Sequence, residues 1–165
     1  MNIKLKHRGC FVKTIILLLV LTLTTTFYGC GISSDMPFNG EISFHKISAV
    51  IPEKFIRDST QSSADLWIFE HGNYKEYIIL SRKDIEGDAT TFLQTYVEYM
   101  KEQGSISEVT TFLEKDAVYS SYTRDEMFCQ EILFAHGGSF YAIALRGGNE
   151  DEFRSLLDSV KIHVD

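Results

Sequence analysis

Met127–Arg146 reads MFCQEILFAHGGSFYAIALR, two runs rich in aliphatic and aromatic residues parted by Gly137-Gly138-Ser139. Met127–His136 and Phe140–Arg146 have the composition of strands, and the glycines between them take the positive φ of a tight reversal at little cost. A hairpin is expected here. Working backwards, Ile106–Leu113 and Ala117–Thr123 have the same character, so the second half of the chain is expected to form a four-stranded antiparallel meander. Working forwards, Gly147-Gly148 leads to Asn149, a good helix N-cap, and Glu150, Asp151 and Glu152 place negative charge at the positive end of the helix dipole. Phe153, Leu156, Leu157 and Val160 give this closing helix one apolar face. Lys161–Val164 alternates polar and apolar residues, as a short edge strand would.

The first half is sparser in signal. Ile42-Ser43-Phe44 and Ile47–Ile51 read as an opening strand stopped by Pro52, and the polar stretch Arg57–Ala64 reads as a loop. Leu66–Glu70 and Tyr74–Arg82 form a second expected hairpin, turned by His71-Gly72-Asn73. Asp88 is placed to accept the first free amide hydrogens of a helix running to about Gln103. In it Phe92, Leu93, Tyr96, Val97 and Met100 recur at three- and four-residue spacing, and Gly104 supplies the left-handed stop. The order predicts an α+β fold in which an antiparallel sheet carries helices packed on it. Residues 41–165 hold no repeat or second linker, so a single domain is expected.

That arrangement resembles the PsbP-like superfamily. The resemblance rests on the strand broken by Ile51-Pro52-Glu53-Lys54-Phe55, the mid-chain amphipathic helix, and the closing Phe153-x-x-Leu156-Leu157-x-Ser159-Val160-Lys161. It spans nearly all of residues 41–164 by pattern, without a single specific motif. It implies an α/β/α sandwich and a non-enzymatic accessory domain that binds a protein partner. Well-known members bind a small GTPase or sit on a photosystem, and neither binding surface maps onto residues of this chain.

The N-terminal segment carries a different kind of information. Lys4, Lys6, Arg8 and Lys13 make a positive head, and Thr14–Tyr28 is hydrophobic but, at 15 residues, shorter than the roughly 20 a membrane-spanning helix needs. Phe27-Tyr28-Gly29-Cys30 then resembles the lipobox of bacterial lipoproteins, with the small residue directly before the cysteine. Phe27 and Tyr28 depart from the usual Leu and small residue at the two preceding places. The resemblance implies that residues 1–29 are a signal peptide, that the Cys30 sulfur is lipidated, and that palmitate-like chains anchor the mature protein to the extracytoplasmic face of the cell membrane. Ordinary signal cleavage and an uncleaved anchor are the alternatives. Residues 30–40 then form the lipidated cysteine and a tether, spanning roughly 17 Å as flexible coil and about 33 Å fully extended.

Charge and cysteine usage narrow the functions further. The first 29 residues hold four of the 16 Lys and Arg and none of the 23 acids, so the remainder carries a formal −11. A domain this acidic lacks the basic face that displaces counterions from phosphates, and nucleic-acid binding is discarded. With Cys10 lost in the signal and Cys30 blocked, Cys129 is the single thiol of the mature domain and is expected to be buried and inert.

No residue pattern announces chemistry. His45, His71, His136 and His163 have neither HExxH spacing nor a cysteine partner, so no metal site is expected. Asp84-Ile85-Glu86-Gly87-Asp88 lacks the glycine and bidentate glutamate of a calcium loop, with Ala89 and Thr95 in their places. Gly137-Gly138-Ser139-Phe140-Tyr141 lacks the last glycine of a nucleophile elbow. Gly147-Gly148 precedes acids that would repel phosphate. Trp67, Tyr74, Tyr77, Tyr119, Tyr122 and Tyr141 suit strand packing better than a ligand groove. No catalytic residue and no cofactor is therefore assigned, and a binding or accessory module with a protein or cell-envelope partner is expected. Two alternatives stay open: a lipoprotein hydrolase whose site assembles only on folding, and a small-ligand carrier, which requires an enclosed apolar cavity.

Overall fold

The computed structural model describes residues 40–72 and 75–163, all within one compact unit, Ser33–Asp165. The expected signal segment, Cys30, most of the expected tether, Asn73, Tyr74, Val164 and Asp165 lie outside the described residues.

Seven strands build the large sheet: β3 (Ile56–Arg57), β4 (Leu66–His71), β5 (Glu76–Asp84), β6 (Ile106–Phe112), β7 (Lys115–Arg124), β8 (Met127–His136) and β9 (Ser139–Arg146). Their order is β3-β4-β5-β9-β8-β7-β6, antiparallel throughout, so the expected meander is present and its last strand closes onto β5. Three of its reversals are two-residue loops, fixed by the pairs Phe112–Lys115, Arg124–Met127 and His136–Ser139. Both central residues of each have positive φ: Leu113 and Glu114, Asp125 and Glu126, Gly137 and Gly138. This is the sense of turn that matches strand twist. Leu113, expected in the strand, is instead the first turn residue.

The opening segment differs from the single strand expected. β1 (Gly40–Phe44) and β2 (Ile47–Ile51) are two antiparallel strands reversed at His45-Lys46, with His45 at φ 55°. β10 (Lys161–Ile162) pairs with β2 and completes a three-stranded sheet, the short edge strand that the C-terminal alternation predicts. Ile56–Arg57, at the start of the stretch read as loop, pairs with β4 before the chain turns away.

Two helices cover the large sheet. α1 (Ala89–Glu102) starts at Asp88, whose carboxylate accepts from the Thr91 amide at 2.7 Å, and it buries the five apolar residues that the spacing singled out. α2 (Glu150–Asp158) starts at Asn149 in a capping box with Glu152. Strand alternation divides the core. Phe69, Ile78, Leu80, Ile132, Phe134, Tyr141, Ile143 and Leu145 face β1, β2 and α2 in one cluster that includes Phe44, Ile47, Phe153 and Leu156. The alternate residues Ile79, Val118, Leu133, Ala142 and Ala144 lie on the α1 side, where Phe92 stacks on Phe140 at 4.3 Å. The sandwich is therefore α1, then the large sheet, then a layer shared by α2 and the small sheet.

A cleft beside the second helix

An open cleft of about 400 Å³ lies between α2 and the turn after β2, lined by Pro52, Lys54, Phe55, Ile78, Leu145, Asn149, Asp151, Glu152, Ser155 and Leu156. Its position follows from local sequence. Pro52 ends β2, and the Phe55 amide donates to the Pro52 carbonyl at 3.0 Å, which turns Lys54 toward the helix. The Lys54 ammonium donates to Glu76 Oε2 and Glu152 Oε1, each at 2.6 Å, and stands 5.2 Å from the Phe55 ring centre. Partial burial works against this charge, but the two carboxylates outweigh it and raise the lysine pKa. The hydrogen bond from Lys54, joined by the Asn149 backbone N–H, holds the Glu152 carboxyl below its ordinary range.

Glu152 thus closes the helix cap and anchors Lys54 at once. Phe55, Ile78, Leu145 and Leu156 make an apolar floor, while Asp151 and Glu152 outnumber Lys54 at the rim, and Glu76 ion-pairs with Lys54 from outside the lining. The arrangement suits an apolar side chain carrying or flanked by a cation. The cleft is open to solvent, unlike the closed cavity a ligand carrier requires.

The residues weighed from sequence are scattered over the fold. His45 Nε2 lies 3.1 Å from Asp65 and 2.9 Å from the Ala64 carbonyl, and Arg82 pairs with both Asp65 and Asp84. His71 Nδ1 is 2.8 Å from the Lys54 carbonyl, and His136 Nε2 is 3.2 Å from the His163 carbonyl. Among the described residues no three His, Cys, Asp or Glu side chains converge as metal ligands. Ser139 donates to Asp84 at 3.1 Å at the end of a hairpin. Tyr77 and Tyr141 are core, and Trp67 is half-buried with the Arg57 guanidinium 4.0 Å above its ring.

Cys129 is fully buried, and burial pushes its thiol pKa up. Its chain neighbours are acidic, yet β9 sets Arg146 directly opposite it, and the guanidinium offsets part of that rise without reversing it. On the same face Glu131 is buried under α1, with its Oε1 accepting from the Tyr96 hydroxyl at 2.5 Å. Burial raises the pKa of Glu131 above the ordinary 4.5, against the opposing hydrogen bond from Tyr96. This pair has no signature along the chain, because both residues sit inside strongly apolar runs.

A raised carboxyl pKa means that the folded state holds the proton more tightly than the unfolded chain does. Its contribution is therefore present below the unfolded value of 4.5 and is lost as pH rises through the folded value. Glu131→Gln is expected to flatten this part of the pH dependence and to be the more stable protein at about pH 8, by roughly 1 kcal/mol. Urea denaturation from about pH 5 to about pH 8 measures it, and parallel curves for the two proteins would refute it.

No protein-family model matches the sequence, and no curated protein matches it. Solved structures do. A crystal structure from Bacteroides thetaiotaomicron VPI-5482 superposes with a TM-score of 0.51 at 13% identity, covering 78% of this chain and 50% of that one. This chain thus spans about half the length of the Bacteroides protein. The solution structure of cyanobacterial PsbP (CyanoP) from Synechocystis sp. PCC 6803 superposes with a TM-score of 0.50 at 14% identity, covering 83% and 99%. LpqN, involved in cell envelope biogenesis of Mycobacterium tuberculosis, gives 0.43 at 17% identity, over 72% and 83%. The fold is PsbP-like, as the sequence resemblance implied.

Proposed function

We propose that this chain is a lipid-anchored, non-enzymatic accessory module at the extracytoplasmic face of the membrane, holding a protein or cell-envelope partner in the cleft beside α2. The cleft carries the reading: its apolar floor and acid-rich rim are preformed by Lys54 bridging Glu76 and Glu152. Such an arrangement favours an apolar side chain flanked by basic groups, and the formal −11 of residues 30–165 attracts the same class of partner over a longer range. The anchor rests on the basic head, the short apolar run and Gly29-Cys30. In this reading a tether of about 33 Å at most keeps the cleft within reach of other envelope components.

A photo-crosslinking amino acid at Ser155, on the rim, tests the cleft in living cells. A discrete adduct is expected from position 155 and none from Gln94, which is exposed on α1 across the sheet. Asp151→Lys is expected to weaken the adduct several-fold, because it reverses a rim charge. Equal adducts from positions 155 and 94, or an adduct indifferent to Asp151→Lys, would remove the cleft from the account.

A further inference from the structure

Of the five large apolar side chains exposed among the described residues, Ile106, Val109 and Leu113 lie on β6 or in the turn that follows it. Among the described residues β6 is the last strand of the large sheet and pairs with β7 alone, so alternate N–H and C=O groups along its other side face outward. Ile106 and Val109 are 74% and 57% exposed. Natural sheets commonly blunt such an edge with lysine, proline, a bulge or a very short strand. Ile106–Phe112, seven residues of ISEVTTF in unbroken register with β7, has none of these.

The order of residue types along β6 reads the same from either end: apolar, polar, polar, apolar, polar, polar, apolar. We infer that β6 is a self-pairing edge, joining a second copy of this chain antiparallel about Val109. In that register Val109 meets Val109 of the second copy, Ile106 meets Phe112, Ser107 meets Thr111, and Glu108 meets Thr110. The single charge of the strand therefore faces a hydroxyl rather than its own copy, where like charges directly opposite would oppose pairing. The contact is isologous, each copy offering the same patch, and it closes after two subunits.

The rest of the fold is compatible with this. α1 leads through Gly104-Ser105 into the Ile106 end of β6, so the two α1 helices would lie toward opposite ends of the paired strands. The two-fold axis runs perpendicular to the sheet, which leaves both small sheets, and hence both Gly40 positions, on one side of a continuous fourteen-stranded sheet. Two copies anchored in one membrane could adopt it, although the pairing does not depend on the anchor. Net negative charge on both subunits opposes association and is screened by salt, so the dimer is expected to tighten as ionic strength rises.

Sedimentation equilibrium of the full chain in a non-ionic detergent, at low and high salt, tests the inference. A monomer–dimer equilibrium strengthened by salt is expected. Val109→Lys, at a largely exposed position, should keep the wild-type thermal midpoint at dilutions where both are monomers and weaken the dimer about tenfold or more, because it sets two ammonium groups face to face. A short bismaleimide should capture Val109→Cys as a dimer above the wild-type background, and Gln94→Cys should not exceed that background. A chain that stays monomeric at all salt concentrations, or a dimer indifferent to Val109→Lys, would overturn the inference and leave the edge to a different strand.

Discussion

Gly147→Ala is expected to destabilise the domain by about 3 kcal/mol or more, whereas Gly138→Ala costs about 1 kcal/mol. The two glycines share nearly the same positive φ, 79° and 80°, so the penalty for a side chain at that angle is common to both. Their surroundings differ. A Cβ at Gly138 would meet open space, but one at Gly147 would overlap the Lys75 carbonyl oxygen and crowd the backbone leading into β5. The Gly147 amide also donates to the Phe128 carbonyl at 2.8 Å, which holds this residue close to both neighbouring chain segments. Relief of the overlap would have to move the end of β9 or the start of β5, which together bring Leu145 and Ile78 to the cleft and Glu76 to Lys54. Urea unfolding of the two variants isolates the steric part as their difference. Losses equal to within about 0.5 kcal/mol would show that the close approach is unimportant.

Much of this fold was legible because its periodicities are strong. The spacing of Phe92, Leu93, Tyr96, Val97 and Met100 marked α1, and Asn149 with the following acids marked the start of α2. Reversals carried by glycine were found. The Asp125-Glu126 reversal falls in the gap between the expected strands Ala117–Thr123 and Met127–His136, whereas His45 and Leu113 take positive φ inside runs that read as strand. The sequence therefore merged β1 with β2 and ran the expected strand through Leu113.

The cleft was less accessible still. Lys54 meets a glutamate 22 positions away and another 98 positions away, and both contacts depend on how the layers close. Glu152 was recognised for its place on the helix dipole, but its second partner was invisible. Likewise Arg146 reaches Cys129 across the β8–β9 ladder, where reading along the chain shows only acids nearby. Long-range pairs of this kind have no spacing signature, because their separation is set by topology.

The lipid anchor proposed at Cys30 lies outside the described residues, and the proposed role stands on it. In a lipoprotein the thiol receives diacylglycerol and the freed amine is often acylated. Each buried methylene contributes about 0.8 kcal/mol, so two or more chains retain a protein on a bilayer where one chain does not. Cys30→Ala removes the only atom to which the first of these groups attaches, and the expected effect is all-or-none. Retention by an uncleaved apolar segment would instead leave the wild-type chain unlabelled and membrane-bound, and ordinary cleavage would leave it unlabelled and released.

The decisive measurement is therefore incorporation of radiolabelled palmitate into the chain in growing bacterial cells, comparing the wild type with Cys30→Ala. A labelled wild-type band in the membrane fraction and no label in the variant are expected. An unlabelled wild type, or a variant labelled as strongly as the wild type, would contradict lipidation at Cys30.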